Sequence, residues 1–272
     1  MAAGTARNKK VTTLRAASGH PGMRLICIPQ AGGNPEIFLP WADGLSRDVE
    51  LLAVRLPGHG PRIADPPIGD WDELLADVLD GLAGYLDEPH AFYGHCFGGR
   101  LAYELTHRAL ALGHPQPQRL FVSACRSPDT PQAGQRVHDL PDAEFIDALR
   151  QRGASDQVLQ SKSIMRFVLP AVRNEIRMAE LWTDRHGAAV NTPITAIYGS
   201  DDVEEGRASM VGWQTFSAAG FELIKMQGGH YFFAHDPSPL LQLINARLDL
   251  ARYLARISCA GHQCRVNQRL PP

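Results

Sequence analysis

Residues 90–100 read His90-Ala91-Phe92-Tyr93-Gly94-His95-Cys96-Phe97-Gly98-Gly99-Arg100, a short run that breaks into glycines before a helical pattern begins. Leu101, Ala102, Leu105, Ala109 and Leu112 then recur at three- and four-residue spacing up to Gly113, the buried face of a helix. A strand that turns sharply into a helix forces the residue at the bend into strained geometry. Side chains two places before it and two after it must be nearly absent. Gly94 and Gly98 meet that demand around Cys96. The stretch therefore reads as a nucleophile elbow with sulfur at its tip. A thiol at a helix N-terminus faces free N–H groups and the positive end of the dipole, which favour the thiolate.

The flanking chain supplies the sheet such an elbow needs. Arg24–Pro29 and Leu51–Leu56 are apolar runs closed by Gln30-Ala31-Gly32-Gly33 and Pro57-Gly58-His59-Gly60, as expected of strands buried on both faces. Helical spacing appears between them and again from Trp71 to Leu86. Leu120–Ala124, Pro193–Tyr198 and Glu222–Met226 continue the strands, and a last helix is expected from about Pro239 to Ile257. Alternation of this kind predicts an α/β fold with a doubly wound, mostly parallel sheet. Between about 126 and 191 the rhythm changes to a proline-rich link and two or three helical stretches, expected to form a cap over the pocket. The basic, aperiodic residues 1–22 are expected to be a flexible segment, residues 23–257 the catalytic domain, and residues 258–272 a loose tail.

Composition narrows the function classes. The 272 residues are 44% hydrophobic and 21% charged, a globular profile able to bury a sizeable core. A formal net charge of -2 provides no basic field for nucleic acid or anionic lipid. No apolar run approaches the roughly 20 residues of a membrane span, and no secretory signal precedes the domain, so the expected location is cytoplasmic. Five cysteines, at 27, 96, 125, 259 and 264, fit reduced thiols better than a disulfide framework. Cys259, His262 and Cys264 match no common zinc spacing, and no metal is expected.

A nucleophile on an elbow needs a base and an orienter, in the order nucleophile, acid, histidine. Tyr198-Gly199-Ser200-Asp201-Asp202 ends a strand with two carboxylates, and Gly228-Gly229-His230 follows the final strand. His230 is the expected base, ahead of His59, His95 and His235. Asp202 is the expected orienter, with Asp201 the alternative. Charge on the reacting carbonyl oxygen calls for aimed donors. The backbone N–H of Phe97 is one, and the Gln30–Gly33 turn, through Ala31, is the expected source of the second.

With these residues assembled, the chain resembles the stand-alone (type II) thioesterases that accompany polyketide and nonribosomal peptide synthetases, within the α/β-hydrolase superfamily. The resemblance covers residues 24 to 250 and rests on "PQAGG", "PGHG", "GHCFGG", "HDLPDAEF", "LPAVRNEIRMAELW", "YGSDD" and "GGHYFF". It implies an α/β-hydrolase fold with a helical cap and an acyl group delivered as a thioester on the phosphopantetheine arm of an acyl or peptidyl carrier protein. The implied sequence is acylation of the nucleophile and release by water, with no cofactor of the enzyme's own. Three positions depart from the family: Cys96 replaces serine, Gln30 a common histidine, and Val203 a common proline. An acyl-cysteine is itself a thioester, so exchange with another thiol is nearly thermoneutral. Transfer of acyl or aminoacyl groups between carriers or onto an amine is thus the rival reading. A noncatalytic binding module on the same frame is the third.

Overall fold

The computed structural model describes residues 8–19, 21–132, 135–151 and 162–266, with residues 162–164 and those beyond 253 as backbone alone. Seven strands of the described chain form one sheet: β1 Val11–Arg15, β2 Met23–Ile28, β3 Val49–Val54, β4 His90–His95, β5 Leu120–Ser123, β6 Ile194–Gly199 and β7 Phe221–Met226. Their order is β1-β3-β2-β4-β5-β6-β7. Every neighbouring pair is parallel except β1 with β3.

Successive side chains on a strand face opposite ways, and β4 uses both faces. Phe92 joins a core with α1 (Trp71–Gly81) and α2 (Phe97–Ala111). Ala91 and Tyr93 join a second core with the 3-10 helix Pro35–Trp41 and the last helix. A large apolar side chain buried as completely as Phe92 contributes about 1.5–3 kcal/mol of hydrophobic stabilisation. Between β5 and β6, α3 (Asp142–Gln151) and α4 (Lys162–Glu180) pack on each other through Phe145, Leu149, Met165, Val172 and Ile176. A four-residue helix, α5 (Arg207–Met210), follows β6, and α6 (Ser238–Val266) closes the described chain.

Chain order turns back at β2. Strand β3 lies on one side of it and β4 on the other, so the carboxyl ends of β2 and β4 flank a topological switch point, where open α/β sheets bind ligands. The Gln30–Gly33 turn and Cys96 both emerge there.

Three expectations are corrected. The flexible N-terminal segment 1–22 contains β1, which pairs antiparallel with β3 from Val11↔Val54; residues 1–7 lie outside the described residues. The helix expected from Trp71 to Leu86 ends at Gly81, because the segment leading into β1 crosses it. Asn8 donates to the Gly81 carbonyl at 2.7 Å, and a Cβ on Gly81 would lie 2.6 Å from Lys10 Cβ. The last helix runs to Val266 rather than Ile257, because an interior glycine such as Gly261 costs a helix only about 1 kcal/mol. The rest of the expected tail, residues 267–272, lies outside the described residues.

Candidate active site

The bend between β4 and α2 has the geometry that the glycine frame requires. Cys96 adopts φ 53° and ψ -114°, a region that costs a non-glycine residue on the order of 1–3 kcal/mol. Its N–H donates to the Ser123 carbonyl at 2.8 Å, and its own carbonyl accepts from Gly99 at 3.0 Å. A Cβ on Gly94 would lie 2.1 Å from the Gly98 carbonyl oxygen, and one on Gly98 would lie 2.2 Å from that of Ile28. Neither position admits alanine. The strain is held on all sides by backbone.

The acid and the imidazole come from the next strand ends. Loop 199–202 is knitted to loop 227–230: Asp201 N–H donates to Gly228 O at 2.9 Å, Gly228 N–H donates to Ser200 Oγ at 3.0 Å, and a Cβ on Gly199 would lie 2.3 Å from Gly229 O. Asp202 Oδ2 meets His230 Nδ1 at 2.8 Å, while Oδ1 accepts the N–H groups of Glu204 and Glu205 at 3.0 and 2.9 Å. The Asp202 side chain is 2% exposed, whereas Asp201 faces solvent. His230 and the Cys96 thiol act on each other's titration. Thiol, imidazole and carboxylate are thus gathered along the ends of β4, β7 and β6.

Electrostatics follow from that grouping. Burial opposes the Cys96 thiolate, but His230, with the Arg100 guanidinium, outweighs it and holds the thiol below its ordinary value. Burial likewise opposes imidazolium at His230, yet Asp202 and Cys96 raise it to about 10. Asp202 is held below the usual carboxylate range: burial pushes it up, and His230 with the two backbone donors pulls it further down. The arrangement favours a thiolate–imidazolium pair, whose protons belong to the pair rather than to either residue.

Phe97 is the first residue of α2, so its N–H has no intrahelical acceptor. Gly33 N–H donates to Gln30 O at 2.8 Å and closes the turn that carries Ala31. The competing histidines go elsewhere. His95 is fully buried, with Nδ1 3.0 Å from Ser123 Oγ and its ring centroid 5.0 Å from that of His230. Burial, then the His230 charge, keep it well below the ordinary histidine value. His59 is buried against Glu175, and His235 is exposed. Met178, Trp182 and Phe233 pack into the cores with Phe232 against them, and Val203 is 97% exposed.

Two features of the surroundings had no signal in the spacing. Arg100, 1% exposed, pairs with Glu205 at 3.2 Å beside the thiol. Glu175 reaches from α4 to both the Gly32 N–H and His59, a contact across 143 and 116 residues that only the folded chain displays. A cavity of about 560 Å³ opens beside the Asp202 loop, lined by Arg126, Val203, Glu204 and Glu205 with residues of the cap. Among the described residues its lining includes neither Cys96 nor His230, so we assign it no part in the chemistry. Among the described residues, no helix is long and apolar enough to cross a membrane.

Comparison with known proteins adds family to geometry. The family model described as Thioesterase domain matches residues 23–248. The AMB antimetabolite synthetase AmbE of Pseudomonas aeruginosa is 33% identical over 90% of this chain, which spans only 12% of that protein's length. Thioesterase PikA5 of Streptomyces venezuelae is 32% identical over 77% of this chain and 75% of its own. Among solved structures, the type II thioesterase BorB from the borrelidin biosynthetic cluster superposes with a TM-score of 0.79 at 32% identity, covering 88% of this chain and 97% of BorB.

Proposed function

This chain belongs to the thioesterase family, and from that premise we propose that it hydrolyses acyl thioesters carried on the phosphopantetheine arm of an acyl or peptidyl carrier protein in a polyketide or nonribosomal peptide pathway, through an acyl-Cys96 intermediate. Cys96, His230 and Asp202 are the proposed triad. The observation that carries the reading is the 2.8 Å contact of Asp202 Oδ2 with His230 Nδ1, beside a thiol held on a strained elbow whose titration His230 lowers. The carrier as partner is supported by the relatives, among them a type II thioesterase from a biosynthetic cluster.

In the first step the Cys96 thiolate attacks the thioester carbonyl. The Ala31 and Phe97 N–H groups receive the oxyanion, where one such donor is worth about 10²–10³ in kcat. Collapse expels the pantetheine thiolate, which takes the proton from His230. In the second step His230, now neutral, removes a proton from water, hydroxide adds to the acyl-Cys96 carbonyl, and the Cys96 sulfur leaves as the free acid forms. Asp202 fixes the imidazole so that Nε2 serves the sulfur.

The test is to mix the enzyme with an acetyl-loaded, isotopically labelled carrier and an empty second carrier. Free labelled acetate, with a transient acetyl mass on Cys96, is the expected result. Label retained as thioester on the second carrier would replace hydrolysis by transfer, the step that sulfur makes chemically accessible.

A further inference from the structure

Helix α4 lies directly on the two glycine turns at the ends of β2 and β3. A Cβ on Gly32 (φ +76°) would lie 3.1 Å from Val172 Cγ2, and one on Gly58 (φ +84°) would lie 2.5 Å from Ala171 Cβ. Residues 171, 172 and 175 share one helix face. From that face Glu175, 5% exposed, extends a carboxylate between the turns. One oxygen accepts the Gly32 N–H at 2.7 Å, and the other meets His59 Nε2 at 2.6 Å. Both carboxylate oxygens are thereby engaged at a site that excludes water.

The Gly32 contact is informative because of where that N–H sits. The bond from Gly33 N–H to Gln30 O makes residues 30–33 a β-turn with Ala31 and Gly32 at its centre. A positive φ at the third position marks the type II form, in which the central peptide is flipped relative to type I. The central peptide is the one carrying the Gly32 N–H, and the preceding one carries the Ala31 N–H. The flip turns ψ of Ala31 and φ of Gly32 and leaves φ of Ala31 at about −60° in either form, so an acceptor on the Gly32 N–H acts on the Ala31 N–H by anchoring the whole turn against α4. Donors misaimed by a fraction of an ångström lose much of their transition-state value.

We propose that Glu175 is a positioning residue, whose carboxylate, fixed by His59, anchors the 30–33 turn against the cap helix so that the Ala31 N–H stays aimed at the substrate oxyanion. The proposal rests on the oxyanion role given above to Ala31. Glu175 touches no reacting atom. It makes the cap helix a structural part of the oxyanion turn, so that the donor is set only when α4 is seated.

The experiment separates steps that need an oxyanion from one that does not. Acylation of Cys96 by acetyl-pantetheine forms an oxyanion, whereas its alkylation by iodoacetamide displaces iodide at an sp³ carbon and forms none. Both are followed by intact-protein mass spectrometry. For Glu175→Leu we expect acylation to slow about 10- to 100-fold with alkylation within about twofold of wild type. For Glu175→Gln, whose amide oxygen still accepts from Gly32 and whose NH₂ donates to neutral His59, we expect acylation within about threefold.

Equal acylation by Glu175→Leu and wild type would overturn the proposal. So would a parallel fall in acylation and alkylation, which marks a general distortion, or a Gln variant as slow as the Leu variant. If the Leu variant does not fold, the wild-type Gly32 amide decides: slow exchange with solvent is expected, and fast exchange overturns it. Wild-type enzyme that alkylates at Cys96 yet never acylates would sink the thioesterase mechanism instead, so the two failures are distinguishable.

Discussion

Two adjacent strand ends carry two cysteines in similar frames with opposite chemistry. Strand β4 is followed by Cys96 at φ 53°, and β5 by Ala124 at φ 43° and then Cys125. Both thiols lie at the first turn of α2: Cys96 caps it, and a Cβ on Gly99 would lie 2.8 Å from Cys125 Cβ. Cys96 is partly buried and Cys125 fully buried, and both respond to Arg100 and Glu205. Yet the Cys96 thiol is lowered, whereas burial, helped by Glu205 and Cys96, pushes Cys125 up to about 12. A helix N-terminus and a nearby guanidinium, common to both, do not activate a sulfur at this depth. What Cys96 has and Cys125 lacks is His230 beside it, together with some opening to solvent.

Removing the imidazole is therefore the change with the largest expected effect. His230→Ala should lower thioester hydrolysis by about 10⁴-fold or more. It should also push the Cys96 titration upward, toward the behaviour of Cys125. The rate of iodoacetamide alkylation at Cys96 across pH reads this directly. A variant whose Cys96 still titrates below the ordinary 9.0 would transfer the activation to Arg100 and break the comparison.

Asp202→Asn sharpens it at the next level, with an expected loss of about 10²–10⁴ in kcat. The carboxylate raises His230 to about 10, so its removal should bring the imidazole back toward 6.5, readable by NMR of the ring protons. The sign for stability is set by the folded values. Asp202 lies below its ordinary 3.8, so its contribution is present above pH 3.8 and fades as pH falls through the depressed value. His230 lies above 6.5, so its contribution is complete below pH 6.5 and fades as pH rises toward 10. The difference in melting temperature between wild type and Asp202→Asn should be greatest between pH 3.8 and 6.5, shrink as pH rises toward 10 and vanish at strongly acidic pH. Asp201→Asn, on an exposed carboxylate, should stay within about twofold in rate; equal damage from both variants would return the acid to the alternative left open by the sequence.

What the sequence disclosed follows from the range of the forces involved. The elbow was legible because its constraint is local: atoms of Gly98 and Ile28 occupy the space where side chains at 94 and 98 would stand. The strands were legible because burial on both faces leaves continuous apolar runs. Strand β1 was hidden because it is an edge strand with Val11 alone buried, so no alternation betrays it. Adjacent Asp201 and Asp202 are equivalent as letters; the loop that turns Oδ1 of Asp202 onto two N–H groups distinguishes them. Glu175 lies within one of the family motifs, but nothing there showed its contacts, since a carboxylate on a helix reads as a solvated face until the turns it touches are brought beneath it.

The smallest expected effect is at Cys125 itself, where the comparison is most exposed to refutation. A thiol held near 12 is protonated at every working pH, and thiol reactivity requires the thiolate. Iodoacetamide at pH 8 should therefore label Cys96 while sparing Cys125 and the fully buried Cys27, as peptide mapping would register. Cys125→Ala removes one buried sulfur from beside Gly99, with an expected stability cost of about 1–2 kcal/mol and a change in kcat below about threefold. Should Cys125→Ala instead cut hydrolysis tenfold or more while Cys96 alkylation holds, the second sulfur takes part in the chemistry. The contrast between the two strand ends would then reflect a division of labour rather than the presence or absence of an imidazole.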